Sequence, residues 1–289
     1  MAPRSVRRLC GLVAVVLLAT PAAAADPRPI EISVDLTDAP RKLFRARLVI
    51  PAEPGPLTLY YPKWIQGEHQ PSGPIIDLSG LRLMAGGKAV PWKRDDVDLY
   101  AFHCTVPEGA GSLEASLEYL IPGDKGGFGA GPASTAKLAI LNWYLVTLYP
   151  KGRPVRDIPI RANLTLPDGW QVGTALPVDS QKGNLTQFKT VSLETFADSP
   201  ALCGVHFKEV PIGPKDGPPH FLTLACDSPA GLALSDELKG QYDRLVVEAG
   251  ALFGARHYRC TSSWSPSPIN SGTTRSSTTS RATTGCPSG

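Results

Sequence analysis

The segment that decides the fold is Leu43-Phe44-Arg45-Ala46-Arg47-Leu48-Val49-Ile50. Its two arginines, at positions 45 and 47, fall on one side of an extended chain, and the larger apolar residues at 44, 48 and 50 fall mostly on the other. Successive side chains of a β-strand point to opposite faces, so this alternation predicts a half-buried antiparallel strand. The segment therefore indicates a sheet with one face on a core and the other in water.

Similar short segments recur on both sides of this one, and proline and glycine separate them. The chain has 28 Gly and 29 Pro without a fixed period, which is typical of tight turns between strands. The predicted strands are Ile30–Leu36, Leu43–Ile50, Leu57–Tyr61, Leu81–Met84, Leu99–Val106, Leu113–Ile121, Leu138–Leu148, Ile158–Leu166, Leu185–Leu193 and Val205–Val210. Strands at this spacing predict a mainly β protein, with an antiparallel β-sandwich over residues 26–212.

A different pattern follows the proline-rich stretch from Val210 to Pro219. A further strand is predicted over Phe221–Cys226, and after it apolar residues recur at helical spacing from 238 to 253. Ser235 is suited to cap the start of this helix and Gly254 to end it, so a helix is predicted over 236–253. Residues 219–259 are therefore interpreted as the opening of a second, α-containing domain.

The last 30 residues have a composition of their own. From Cys260 to Gly289, 22 of 30 residues are Ser, Thr, Gly or Pro, and none is acidic. Such a segment buries too little apolar surface to offset the entropy of ordering, so residues 260–289 are predicted to be disordered. A further hypothesis is an out-of-frame tail, because Gly272-Thr273-Thr274 and Ser277–Ser280 fit codons that read His-His and Glu-His-His-Glu in a neighbouring frame. The nucleotide sequence tests this hypothesis.

The first 25 residues have the three zones of a cleavable signal peptide. Arg4, Arg7 and Arg8 precede an apolar run from Leu9 to Ala19, and small residues follow at positions 21–25. The run is too short to span a bilayer, which disfavours an uncleaved anchor, and twin-arginine export is a weaker alternative. The sequence predicts cleavage after position 24 or 25, a secreted or periplasmic protein, and no membrane span after cleavage.

Charge and cysteine content exclude several classes of protein. The formal net charge of +3 includes the three signal arginines, so the mature chain is near neutral and nucleic acid is not an expected partner. The cysteines after the signal are widely spaced, which excludes a disulfide-stapled fold and a cysteine zinc knuckle. Buried free thiols are predicted for Cys104, Cys203 and Cys226, with a single disulfide as the alternative.

Catalytic motifs are missing from the 289 residues. The chain has five histidines, and none stands in His-Glu-x-x-His or another helical pair suited to zinc. No Gly-x-Ser-x-Gly elbow accompanies a triad. Asp95, Asp96 and Asp98 suggest a cation site, but one short acidic group is more typical of a solvated turn. We therefore predict no catalytic, cofactor-binding or metal-binding residue in this chain.

One stretch is more specific than a strand end. Residues 60–75 read Tyr-Tyr-Pro-Lys-Trp-Ile-Gln-Gly-Glu-His-Gln-Pro-Ser-Gly-Pro-Ile, a dense mixture of aromatic residues, prolines and glycines. The motifs that accompany it are Leu78–Leu81, Trp92–Asp96, Tyr100–Phe102, Val106-Pro107, Leu141–Trp143 and Leu148–Pro150. Together they resemble the amino-terminal domain of the glycyl aminopeptidase family, metallopeptidase family 61. The resemblance spans residues 28–210 and, more weakly, 219–259, where Leu252–Gly254 and His257-Tyr258 look like the lead-in to the family's catalytic domain.

The resemblance implies a β domain followed by a thermolysin-like catalytic domain that binds zinc through a His-Glu-x-x-His helix. Zinc is the cofactor, and peptides are the partners, of the full-length family. None of the family's zinc ligands matches a position here, so residues 219–259 are interpreted as the truncated start of the catalytic domain. The chain is then the amino-terminal portion of a secreted zinc aminopeptidase without its catalytic site. The same resemblance favours the out-of-frame hypothesis.

Two other classes of function stay open at this point. One is a secreted β-sandwich that recognises peptide or carbohydrate through exposed aromatic residues, and the other is a structural envelope protein. Trp64, Trp92 and Trp143 are predicted to be core anchors, as large aromatic residues usually are. Two of them exposed in one groove would favour a binding module instead.

Overall fold

A computed structural model describes residues 28–65, 67–68, 70–122 and 132–254, together with the backbone of residues 261–267. The predicted signal peptide and residues 268–289 of the predicted tail lie outside the described residues.

The described chain is mainly β, with one short helix and one long helix. The strands, in chain order, are β1 (Ile30–Asp35), β2 (Leu43–Pro51), β3 (Gly55–Tyr60), β4 (Leu78–Ala85), β5 (Lys88–Ala89), β6 (Trp92–Arg94), β7 (Ala101–Val106), β8 (Ser112–Leu120), β9 (Ala133–Ser134), β10 (Leu138–Leu141), β11 (Tyr149–Pro150), β12 (Pro159–Thr165), β13 (Gln171–Thr174), β14 (Val178–Lys182), β15 (Leu185–Phe188), β16 (Val191–Ser192), β17 (Ala201–Gly204), β18 (His206–Ile212), β19 (His220–Cys226) and β20 (Thr261–Ser267). The helices are α1 (Leu193–Ala197) and α2 (Asp236–Phe253).

The largest sheet has the order β14-β15-β12-β1-β2-β8-β4-β5, and β16 pairs with β12. In β2, Phe44, Leu48 and Ile50 are buried while Arg47 is exposed, which confirms the predicted alternation. The arginines of β2 face water and pair across the ladder with acidic residues of β8. All pairs in this sheet are antiparallel except β1 with β12, which is parallel.

Two four-stranded sheets complete the amino-terminal part, with the orders β13-β17-β10-β9 and β11-β3-β7-β6. Side chains from all three sheets meet in one hydrophobic core, to which Ile32, Leu59 and Leu141 contribute. Packing of sheets face to face over a shared core is the defining feature of a sandwich. The predicted mainly β fold with an amino-terminal antiparallel sandwich is confirmed.

The second part consists of the sheet β18-β19-β20 and helix α2. Helix α2 has the predicted bounds: the Ser235 hydroxyl accepts from the Leu238 N–H, and Gly254 adopts a left-handed conformation with φ 65°. Val246 packs on the apolar side chains of β18 and β19. Among the described helices, none is both long and apolar enough to cross a membrane.

Strands β18 and β19 are antiparallel partners over their whole length, from His206 opposite Cys226 to Ile212 opposite His220. The boundary predicted between the sandwich, up to residue 212, and the next domain, from residue 219, falls between these two strands, which pair in one sheet. The proline-rich stretch between them is thus a hairpin connection inside that sheet.

Residues 261–267 form β20, which pairs in parallel with β19. These seven residues belong to the segment predicted to be disordered. Backbone pairing needs only free N–H and C=O groups at a sheet edge, so a segment rich in Ser and Thr is able to join β19 through its main chain.

The two parts of the molecule meet where β13 and β17 face β18 and β19. Ile140, Leu202 and Ala225 form a small hydrophobic cluster at this joint. Gly173 allows the closest approach, because a Cβ there would lie 2.5 Å from Thr223 Cγ2 and 2.9 Å from Phe207 Cζ. The joint therefore depends on a position without a side chain.

Cys104, Cys203 and Cys226 are buried thiols, as predicted. Burial raises the pKa values of the Cys104 and Cys203 thiols, because the thiolate is disfavoured away from water. These thiols are therefore inert packing groups in the described chain.

Candidate functional site

The loop after β3, which carries the most distinctive sequence of the chain, is closed on itself by Gly73. The Gly73 N–H donates to the Lys63 carbonyl oxygen at 2.9 Å, and the Tyr100 hydroxyl donates to the Gly73 carbonyl oxygen at 2.9 Å. The same hydroxyl also contacts the carbonyl of Pro71 at 3.3 Å. A Cβ at position 73 would lie 2.0 Å from the Pro62 carbonyl oxygen. Only glycine therefore allows the two arms of the loop to meet.

Replacement of Gly73 by Ala is expected to open this loop and to destabilise the protein by about 1–2 kcal/mol, since the added methyl group meets backbone rather than a flexible side chain. Urea unfolding measures the loss. Gly111→Ala is the matched control, because a Cβ there meets only Arg28 guanidinium atoms, at 4.0 Å. Equal stability of the two variants would contradict the close approach.

An acidic turn at residues 95–98 contacts the other side of the loop through an ion pair. Asp95 Oδ1 accepts from the N–H groups of Val97 at 2.9 Å and Asp98 at 2.8 Å. Asp98 in turn pairs with Lys63 at 3.1 Å, and the Lys63 ammonium lies 5.4 Å from the centre of the Tyr100 ring. The N–H of Asp98, the His103 ring and the N–H of Val97 hold the pKa of Asp95 well below its ordinary value. Asp95 is therefore ionised at neutral pH.

His103 links the acidic turn to the sheet. Its Nε2 lies 2.8 Å from Asp95 Oδ2, and its Nδ1 lies 3.0 Å from Thr58 Oγ1. Both ring nitrogens of His103 therefore have a hydrogen-bonding partner. A hydroxyl, an imidazole and a carboxylate in a row could also serve nucleophilic catalysis, which needs free main-chain N–H groups as an oxyanion hole beside the hydroxyl. Thr58 lies inside β3, where the main chain is paired with β7, so we assign it no such role. The hydroxyl, imidazole and carboxylate therefore position the turn.

The three aspartates, for which the sequence leaves a cation site or a solvated turn, are engaged within the described chain. Each carboxylate has an internal partner: Asp95 has His103, Asp96 has Lys93 and Asp98 has Lys63. Within the described residues, no group of three His, Cys, Asp or Glu side chains is arranged to hold a metal ion.

The three tryptophans that were predicted to be core anchors differ in their burial. Trp143 is fully buried, and its Nε1–H donates to the Ser199 carbonyl oxygen at 2.7 Å, as expected of a core anchor. Trp64 is 67% exposed and Trp92 is 38% exposed, so the prediction of core anchors is wrong for these two. Trp92 contacts Phe102 edge to face at 5.4 Å on the short edge strand β6, while Trp64 projects from the loop. The loop thus offers a large apolar side chain to water.

Helix α2 offers a second exposed apolar surface. Leu238, Leu245 and Leu252 recur every seven residues along it, and all three are exposed, as is Phe253. Asp243 fixes the opposite side of the helix, since it accepts from the Gly213 N–H at 2.7 Å and from Lys239 at 2.8 Å. One side of α2 is therefore attached to the sheet and another is uncovered in the described chain.

Comparison with known proteins gives a family for most of the sandwich. Residues 31–205 match the family model described as the peptidase M61 N-terminal domain. No curated protein matches the chain.

One solved structure shares the fold over a longer span, and two others give weaker superpositions. An aminopeptidase N family protein from Idiomarina loihiensis superimposes with a TM-score of 0.67 and 18% identity, over 81% of this chain and 38% of that one. An M1 zinc metallopeptidase from Deinococcus radiodurans gives a TM-score of 0.48 and 13% identity, over 83% of this chain and 56% of that one. A mutant of that enzyme with a Tyr-Ser-Ala substrate gives 0.48 and 14%, with the same coverage. The chain therefore spans 38–56% of the length of these structures.

Proposed function

Since the chain belongs to the family of the peptidase M61 N-terminal domain, we propose that it is the amino-terminal portion of a secreted zinc aminopeptidase and has no peptidase activity of its own. The family match over residues 31–205 is the observation that carries this proposal. According to this proposal, the sandwich and the sheet with α2 form a scaffold for a peptidase site that these residues do not themselves supply.

The exposed surfaces support a scaffolding role. The exposed Trp64 and the leucines of α2 are apolar groups that a further domain would cover. The loop and the helix that carry them are attached to the rest of the described chain by the hydrogen bonds of Gly73 and Asp243. The superposition with the Idiomarina structure continues past the family match, because it covers 81% of this chain. Peptides are the expected substrates of the whole enzyme.

The residues of this chain do not fit a peptidase zinc. The sequence has no His-Glu-x-x-His, and no metal-binding group of three side chains exists among the described residues. No catalytic step is therefore assigned to the chain. The basic, apolar and small-residue zones of residues 1–25 support the proposal that the protein is exported and that these residues are then cleaved.

The test is to express all 289 residues in a bacterium, purify the exported protein, and assay it with aminoacyl p-nitroanilides and added zinc. We expect a mature amino terminus at Ala25 or Asp26, no hydrolysis above the buffer rate, and far less than one equivalent of zinc after dialysis. Hydrolysis together with stoichiometric zinc would refute the proposal that the chain is inactive. Retention of residues 1–25 would refute cleavage of the signal.

A binding module is the second candidate, and the exposure of Trp64 is the observation that favours it. A binding role predicts that Trp64→Ala abolishes retention on a peptide or glycan array. If the native chain is not retained on such arrays, this candidate fails while the scaffold proposal stands.

A further inference from the structure

Helix α2 carries an apolar stripe along most of its length. Its members are spaced alternately by four and three positions, and they are Leu238, Tyr242, Leu245, Ala249 and Leu252. At 3.6 residues per turn, they lie within about 80° of the helix circumference. The three leucines are exposed, whereas Tyr242 is half-buried against the apolar cluster that attaches α2 to β18 and β19. The stripe therefore borders the attached side of the helix and is open to water in the described chain.

The spacing of the stripe indicates what is suited to cover it. Apolar residues at alternating intervals of four and three form the seam of helices that pair with one another, each side chain fitting between those of the facing helix. Residues 260–289 carry few apolar side chains to place on this seam, since 22 of the 30 are Ser, Thr, Gly or Pro. A second copy of the chain presents the same seam, and a two-fold axis joins the two seams into one self-complementary surface.

The charges beside the stripe favour an antiparallel pair. Gln241, Arg244 and Glu248 are exposed along the flank of α2 that faces away from the sheet. Equivalent flanks of two helices meet when the helices run in opposite directions. With Leu245 of both copies on the two-fold axis, Glu248 of one copy lies less than one helical turn from Gln241 and Arg244 of the other. Each Glu248 carboxylate thus faces an amide and a guanidinium group, and symmetry makes this contact twice.

A parallel pair lacks this match. Parallel helices would place the charged flank of one copy against the attached side of the other, where β18 and β19 already lie. We propose that two copies of this chain associate through the leucine stripe of α2, antiparallel to each other about a two-fold axis at Leu245. The interface is small, so we expect a reversible pair with a dissociation constant of about 1–100 μM. This pair does not depend on the proposed function, because its test measures mass and not hydrolysis. In the proposed scaffold, a further domain and a second copy would compete for the same stripe.

Sedimentation velocity of the purified, exported chain, at concentrations from well below to well above this constant, tests the pair. We expect a monomer that converts to a dimer and to nothing larger, because a two-fold pair closes on itself. Leu245→Glu places a charge on the axis and is expected to weaken association by about tenfold or more. Val247→Glu is the matched control: Val247 is 53% exposed and Leu245 49%, but Val247 lies on the opposite side of the helix and its variant should associate like the native chain. A native monomer at every concentration, open-ended aggregates, or equal weakening by both variants would overturn the proposal.

A charge exchange tests the orientation of the helices. Glu248→Arg brings like charges together at Arg244 of the second copy, so we expect the affinity to fall by about tenfold, since two attractive contacts become repulsive. The double variant Arg244→Glu with Glu248→Arg restores the attraction with reversed signs, and its affinity should return to within about threefold of native. Circular dichroism checks that each variant keeps its helix. A folded double variant that associates no better than the single variant would refute the antiparallel pair.

Discussion

Replacement of Trp143 by Ala is expected to lower the free energy of unfolding by about 3–5 kcal/mol. The indole is fully buried and stands in contact with two phenylalanine rings, Phe188 at 5.7 Å and Phe196 at 4.8 Å between ring centres. Its Nε1–H also bonds the Ser199 carbonyl, which would be left without this donor. The loss therefore combines a large cavity with a broken buried hydrogen bond.

Trp64→Ala is the control, because it makes the same substitution at an exposed tryptophan. Trp64 is 67% exposed, so its removal is expected to change stability by no more than about 0.5 kcal/mol. Urea unfolding of both variants, followed by circular dichroism, gives the comparison. A similar loss in both variants would mean that Trp64 is not a surface group. A small loss for Trp143→Ala would mean that this ring does not anchor the core.

These two residues show what local sequence predicts and what it does not. Helix α2 was predicted with its bounds, because its N-cap, its C-terminal glycine and its periodicity are all properties of neighbouring residues. The alternation of β2 was equally local. By contrast, the burial of a tryptophan depends on which distant segments cover it, and nothing beside Trp64 or Trp143 in the chain reports this.

The segment predicted as one strand over Leu138–Leu148 shows the same limit. The structure has β10 up to Leu141, then a 3₁₀ turn at Trp143–Val146, and then β11 from Tyr149. Every residue from 138 to 148 is buried, so the segment has no polar alternation that would distinguish a strand from a buried turn.

The geometry of the candidate site could not be predicted from the sequence either. The stretch from Tyr60 to Ile75 was recognisable by composition, but its partners come from β7 and from the turn before it. Contacts such as Thr58 with His103, or Lys63 with Asp98, join residues 45 and 35 positions apart. Strand pairing brings them together, and register across a sheet is not encoded in either strand alone.

The joint between the two parts of the molecule should be as sensitive to added volume as the core is to lost volume. Gly173→Val is expected to destabilise the protein by about 1–3 kcal/mol, because its Cβ alone would stand 2.5 Å from Thr223 Cγ2 and 2.9 Å from Phe207 Cζ. Thr223 is fully buried and has little room to move. The expected response is separation of β18 and β19 from β13, with the main core intact.

Amide hydrogen exchange distinguishes this response from general unfolding. Protection of the β19 amides should fall in Gly173→Val, while the amides of β12, an inner strand of the largest sheet, keep their native protection. Gly111→Val is the control, since a Cβ there meets only Arg28 guanidinium atoms at 4.0 Å, and its stability should stay within about 0.5 kcal/mol of native. Equal loss of protection in β12 and β19 would show that the two parts unfold as one unit. The β18–β19 sheet and α2 would then be an inseparable extension of the sandwich rather than the start of a separate domain.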